Sequence, residues 1–257
     1  MKTLVYQSFR TTDVPNWINT CIDSVKNWCD LCGFSYCFIG DEFFDFAPED
    51  FRTLVNNQRH LVSDLARLEL AHLYLEQGWD RVIWVDADLI ICDPENFIID
   101  NSKSYLFCRE LWMTLRNDEI VFSERVNNSI SVFCKENNFL NFYRSACYSI
   151  IKNKQPKLAH TDIGTGFLTK LIDVLPLIKT SVVFSPFLLS AFYRNDKNII
   201  ADYLYHLTVP IQAVNLCLTF RNMQYQGLVI TDDVFSIVIE RLQSMSKPSS
   251  VLVPKDL

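Results

Sequence analysis

The stretch "DRVIWVDADLII" (residues 80–91) governs how the rest of the chain is read. Bulky apolar residues run from Val82 to Val85 and again from Leu89 to Ile91. A run of this kind marks a strand buried on both faces of a parallel sheet. Inside it stand two aspartates, Asp86 and Asp88, with only Ala87 between them. Read as one extended strand, residues 81–91 point both carboxylates the same way. Neighbouring carboxylates raise each other's pKa unless a cation lies between them. A hard divalent cation with oxygen ligands, Mn2+ or Mg2+, meets that need and brings a substrate phosphate with it. The plain alternative is a strand end turning into solvent, and Asp93-Pro94 just downstream fits such a turn.

The segments upstream set that strand in an alternating pattern. Residues 3–7 and 34–40 are strand-like. Between them, "NWINTCIDSVKNWCDLCG" has apolar residues at helical spacing, with Gly33 as its stop. A second helix is expected over 62–77, with Leu65, Leu68, Ala71, Leu73 and Leu75 on its apolar face and Gly78 ending it. Strand, helix, strand, helix, strand predicts an α/β domain with a mostly parallel sheet. Downstream, strands are expected at 104–108, 129–135, 180–186 and 228–231. Helices are expected at 137–153, 164–176 and 232–245. Residues 1–245 read as one domain, and the tail 246–257 as loosely held.

Composition limits the function. The chain has 257 residues, 49% hydrophobic, and a formal net charge of -6. That is ample for a core and lacks the basic balance of a nucleic-acid-binding surface. The opening residues have neither a long apolar core nor a cleavage site, which argues against a signal peptide. No apolar run reaches the length of a bilayer span, so no transmembrane segment is expected. Nine scattered cysteines read as reduced thiols, which predicts a cytoplasmic location. Cys29 and Cys32 have the spacing of a redox pair, but they fall at the C-terminal end of the first helix. The helix dipole there disfavours a thiolate.

The region "SDLARLELAHLYLEQGWDRVIWVDAD" (63–88) resembles the core of nucleotide-sugar-dependent glycosyltransferases with the GT-A fold. It is most similar to the sugar-binding Asp-x-Asp family related to yeast initiating mannosyltransferases, and to the glucosyltransferase domains of large clostridial toxins. Ser63, Asp64, Arg67, Gly78, Asp86 and Asp88 stand in the order of that pattern. The opening "VYQSFRTTDVPNW" is similar to the start of the family. The resemblance covers roughly residues 3–100 well and the remainder patchily.

The resemblance implies a GT-A-like sheet that binds a UDP- or GDP-sugar through Mn2+ or Mg2+. It also implies sugar transfer, with retention, to the hydroxyl of an acceptor glycan, lipid-linked sugar or protein. Asp88 would ligate the metal, with Asp86 on the metal or the ribose. Asp64 and Arg67, three apart on one helix face, would orient the sugar. Without the resemblance that pair reads as an ordinary intrahelical ion pair. Gln7 and Phe9, past the first strand, would lie where relatives cradle the base. "HTDIGTGFLTKL" (160–171) is similar to a family segment of glycine and threonine, with Phe167 in place of proline. It offers Asp162, Gly164 and Gly166 to the substrate, or else simply caps a helix. A late segment usually completes the metal shell. Asn215 in "AVNLC" is preferred, with His206 as the alternative.

Trp112, Phe139, Phe142, Tyr143, Phe192 and Tyr193 could stack on a sugar or lipid, but aromatics of this kind more often fill the core. Two rival readings stand beside the transferase. One is a phosphohydrolase resembling the haloacid dehalogenases, with Asp86 as nucleophile, Lys170 as its lysine and "GLVITDD" (227–233) as a late acidic motif. Ile90 stands where that family wants threonine or valine. The other is a non-catalytic relative that binds a sugar or a protein.

Overall fold

The computed structural model describes residues 1–207 and 209–246. The first half follows the expected alternation. Strand β1 (Thr3–Ser8) leads into helix α1 (Asn16–Cys32) and strand β2 (Ser35–Ile39). A 3-10 turn (Asp41–Phe46) and short helix α2 (Glu49–Leu54) precede helix α3 (Arg59–Glu76) and strand β3 (Arg81–Val85). Helix α1 buries Trp17, Ile18, Cys21, Ile22, Val25, Trp28 and Cys29, a stripe at helical spacing. It stops at Gly33, whose φ of 66° is left-handed and therefore favours glycine.

The strand expected over 81–91 is in fact two. Strand β3 ends at Val85, Asp86-Ala87-Asp88 forms a turn closed by Leu89 N–H on Asp86 C=O (3.2 Å), and β4 (Leu89–Ile91) starts a different sheet. Both pieces are apolar because both are buried, so the break left no trace in hydrophobicity. The next strands are longer than expected: β5 (Tyr105–Arg116) and β6 (Glu119–Cys134) form one extended hairpin.

After α4 (Phe139–Lys154), the helix expected over 164–176 shrinks to α5 (Thr165–Thr169). Then come β7 (Leu177–Ile178), β8 (Ser181–Val183), α6 (Pro186–Arg194) and α7 (Lys197–Leu207), the last two unforeseen. Strands β9 (Ala213–Asn215), β10 (Gln224–Tyr225) and β11 (Leu228–Val229) precede α8 (Asp232–Ser246). Most of the expected tail, 247–257, lies outside the described residues.

Among the described residues the main sheet has the order β2-β1-β3-β6-β5-β7. β1 runs parallel to β2 and β3, β6 is antiparallel to β3 and β5, and β7 is parallel to β5. Five strands thus share a direction and β6 alone is reversed. Alternate residues go to opposite faces. Leu4, Tyr6, Val82 and Trp84 pack with α3 and α4, whereas Val5, Ile83 and Val85 pack with Val25 and Trp28 of α1. Covering both faces is what makes β1 and β3 apolar throughout. A second sheet, β4-β9-β8, lies beyond the end of β3. Its register pairs Leu89 with Asn215, which sets Asn215 beside the Asp86–Asp88 turn.

Candidate active site

The C-terminal ends of β1 and β3 open into a cleft of about 540 Å³. Open α/β sheets hold their ligands at this end. Phe9 and Arg10 line one wall, Phe43 and Phe44 another, and Ser63 and Arg67 come from α3. Asp86, Ala87, Asp88, Leu218 and Thr219 complete it.

The two aspartates meet on a single atom. Asn215 Nδ2 donates to Asp88 Oδ1 (3.0 Å) and to Asp86 Oδ2 (3.3 Å). The amide cannot simply turn over, because Asn215 Oδ1 accepts from Cys217 N–H (2.9 Å). The second oxygen of Asp88 accepts from Leu218 N–H (2.7 Å). Asp86 Oδ1 accepts from Trp84 Nε1 (2.7 Å) and Arg67 Nη1 (3.1 Å).

Arg67 is nearly buried and makes contacts in every direction. It donates to Ser63 Oγ (3.1 Å) and to Asn128 C=O (3.1 Å), pairs with Asp64 (3.4 Å), and lies over the Trp84 ring (4.9 Å). Asp64 also accepts from Asn128 Nδ2 (2.9 Å). Arg67 therefore joins two carboxylates and two strands, well beyond an intrahelical pair.

Asn128 and Ser129 are the site residues that sequence reasoning missed. Between the pairs Phe107↔Ser131 and Cys108↔Asn127 the hairpin register slips, so residues 128–130 of β6 have no partner on β5, although Ile130 still pairs with Val85 of β3. The bulge delivers Asn128 to Arg67 and Asp64, and Ser129 C=O to Asp86 N–H (2.7 Å). Bulges favour such places because they re-aim side chains. "NNS" at 127–129 in an otherwise strand-like stretch was the available signal.

The remaining candidates divide. Phe9 lines the cleft. Gln7 does not: its Nε2 donates to Asp86 C=O (3.2 Å) and its Oε1 accepts from Tyr36 OH (2.9 Å), so it braces the turn from below. Gly164 lies against Asp64, and a Cβ there would sit 2.5 Å from Asp64 Oδ2. Gly164→Ala is expected to cost about 1–3 kcal/mol by overpacking, measured by urea unfolding. Gly166 faces the Thr161 carbonyl instead. Asp162 is not brought to the cleft. It pairs with Lys154 and accepts from Ala159 N–H (2.8 Å), closing its own turn. His206 is also elsewhere, stacked on Phe122 and bonded to Asp202 at the end of α7. Of the two late candidates, only Asn215 reaches the aspartates.

The rival acidic motif is not assembled here. Asp232 accepts from Trp17 Nε1 and pairs with Arg221, and neither it nor Lys170 lines the cleft.

Burial raises the pKa of Asp86 to about 7, with Asp88 adding to the rise and Arg67 and Trp84 opposing it. Burial also raises Asp88, against the Leu218 N–H and Asn215, and raises Asp64 against Arg67. Burial works against the Arg67 charge, but Asp86 and Asp64 outweigh it and hold its pKa above the ordinary value. For Asp86 the folded pKa exceeds the unfolded one, so between about pH 4 and 7 the native state binds more protons. Stability of the metal-free protein should therefore fall as pH rises through that window. Thermal unfolding across it should show the fall in wild type and a flatter profile in Asp86→Asn; equal slopes would contradict this.

Among the described residues no three His, Cys, Asp or Glu side chains converge as a metal cluster. The donor set at the turn is two carboxylates and one amide. Asp86 Oδ2 and Asp88 Oδ1 both lie within 3.3 Å of Asn215 Nδ2, so the amide nitrogen occupies the point that a cation shared by the two carboxylates would take. The two carboxylates are the oxygen ligands that could hold Mg2+ or Mn2+, cations that keep further positions for phosphate.

No protein-family model matches this sequence, and no curated protein matches it. Among solved structures, the chain is similar to a glycosyltransferase involved in glycosylation of the major capsid of PBCV-1. The identity there is 11%, the TM-score 0.48, and the match covers 95% of this chain and all of that one. It is similar to apo GlyE, a glycosyltransferase of Streptococcus pneumoniae TIGR4, at 10% identity and a TM-score of 0.46, covering 96% of this chain and 64% of GlyE. The galactosyltransferase LgtC, solved with donor and acceptor sugar analogues, matches at 12% identity and a TM-score of 0.44, covering 93% and 95%.

Proposed function

We propose that the chain is a metal-dependent glycosyltransferase of GT-A type that takes a nucleoside-diphosphate sugar and transfers the sugar to an acceptor hydroxyl with retention. The observation that carries this reading is the convergence of Asp86 and Asp88 on one atom, at the mouth of a cleft walled by Phe9, Phe43 and Phe44. Aromatic walls suit a base, and an acidic pair beside Arg67 suits a cation with a diphosphate.

Asp88 and Asp86 would hold Mn2+ or Mg2+ between the oxygens that Asn215 Nδ2 now bridges, and Asn215 would join as a ligand only by giving up its bond to Cys217 N–H. When bound, the cation neutralises charge on the departing diphosphate. Arg67 holds the Asp86 carboxylate from below, and Gln7 and Ser129 fix its backbone. Asp64 and Asn128 lie buried behind Arg67 and outside the cleft lining, so they would act on the sugar by holding Arg67 in place. Trp84 forms part of the floor, with the Arg67 guanidinium over its ring.

No helix among the described residues is long and apolar enough to cross a membrane. A cytoplasmic place is part of this proposal.

The test is turnover. Wild-type protein incubated with a panel of UDP- and GDP-sugars and Mn2+ should release nucleoside diphosphate from one base class, and chelation should stop it. Release of inorganic phosphate from phosphomonoesters, with every sugar nucleotide intact, would instead support a phosphohydrolase.

A further inference from the structure

The β5–β6 hairpin reaches past the end of β3. Val85, the last residue of β3, pairs with Ile130, yet β5 and β6 stay paired out to Arg116 and Glu119. The arm therefore projects on the side where Asp86 and Asp88 lie. One of its faces is covered: Tyr203 OH donates to Leu111 C=O (3.3 Å), and His206 stacks on Phe122. The other face carries Glu110 and Trp112, with Arg125 directly across from Glu110. Trp112 approaches Phe220 (ring centroids 6.2 Å). Phe220 belongs to the turn whose Leu218 and Thr219 line the donor cleft. The exposed hairpin face and the cleft thus share one wall.

Glu110 is the unusual residue of this face. It is 4% exposed. Its Oε2 accepts from Asn127 Nδ2 (2.9 Å). Among the described residues, Oε1 has only the Arg125 guanidinium, at 3.8 Å and beyond hydrogen-bond range. Oε1 is not among the fully enclosed unbonded atoms of the described residues, so it faces solvent and can accept from a donor that reaches it. Arg125 lies over the Trp112 ring (4.9 Å) and is 40% exposed, so it can move to a ligand. An indole, a carboxylate short of one donor and a mobile guanidinium are the groups that recognise a carbohydrate. The C–H face of a pyranose packs on the ring, one hydroxyl donates to the carboxylate, and another accepts from the guanidinium. Asn127 also ties this face to the donor site: its Oδ1 accepts from Ser129 N–H, and the Ser129 carbonyl accepts from Asp86 N–H.

We propose that Trp112, Glu110 and Arg125 form the acceptor subsite, and that the acceptor is a pyranose-containing glycan. This rests on the sugar-transfer reading above. A single indole among charged side chains fits a glycan better than the apolar groove a lipid chain would need.

The test uses the full chain with UDP or GDP and Mn2+ on an array of immobilised oligosaccharides, with nucleotide binding measured calorimetrically on the same preparations. Wild type should retain a defined set of glycans. Glu110→Gln and Trp112→Ala should lose that retention at least tenfold while the nucleotide Kd stays unchanged, and Trp112→Phe should keep part of it. Wild-type glycan retention in both variants would overturn the subsite and leave the transferase reading standing. So would nucleotide binding by wild type with no glycan retained. No nucleotide binding by wild type would overturn both.

Discussion

Asp88→Asn is expected to remain folded and to lose metal-dependent turnover by about 10²–10³-fold, the scale seen when a single electrostatic contributor is removed from a reacting centre. Asp88 is held by Leu218 N–H and Asn215. An asparagine there keeps one acceptor but loses the charge that would hold a cation. Burial already pushes the Asp88 carboxyl towards its neutral form. Neutralising it should thus leave thermal stability unchanged or slightly higher in metal-free buffer. Stability and turnover should separate: circular dichroism and thermal unfolding like wild type, nucleotide release near background. A variant with wild-type turnover would remove Asp88 from the site.

Arg67→Ala should act on the fold itself. Arg67 bridges Asp64, Asp86, Ser63 and the Asn128 carbonyl, nearly out of water. Its removal leaves two buried carboxylates without their cation, a loss of about 3–5 kcal/mol. Much of that cost is the stranded charge rather than the lost bonds. Asp86→Asn in the Arg67→Ala background should therefore cost less than in wild type, a coupling that a double-mutant cycle reads directly by urea unfolding. Strict additivity of the two substitutions would mean that Arg67 and Asp86 do not interact.

Much of this site was legible in the sequence, because its first half follows local rules. Helical spacing and Gly33 gave α1, and the apolar run gave β3 as an inner strand. The break at Asp86-Ala87-Asp88 was not legible. Periodicity cannot distinguish one buried strand from two when both are apolar. Asn215 stood out by its context, yet what places it is the β4–β9 register, a non-local pairing. Asp162 and His206 misled for the opposite reason: each was suggested by the place of its segment in the resemblance, which does not show the local partners that satisfy the side chain. Here Lys154 and Ala159 satisfy the first, and Phe122 and Asp202 the second. Gln7 was placed near the right atoms with the wrong task, since strand position fixes neighbourhood but not which way a side chain bonds. Asn128 was missed because a bulge of three residues has no periodic signature.

The central claim is that Asp86 and Asp88 hold a divalent cation together with a nucleoside diphosphate. Calorimetric titration of UDP and of GDP into wild type, with and without Mn2+, tests it most directly. The account predicts that one nucleotide binds with Mn2+ and binds far more weakly without it, and that Asp88→Asn abolishes the difference. Binding of neither nucleotide in either buffer, or binding indifferent to the metal, would contradict it.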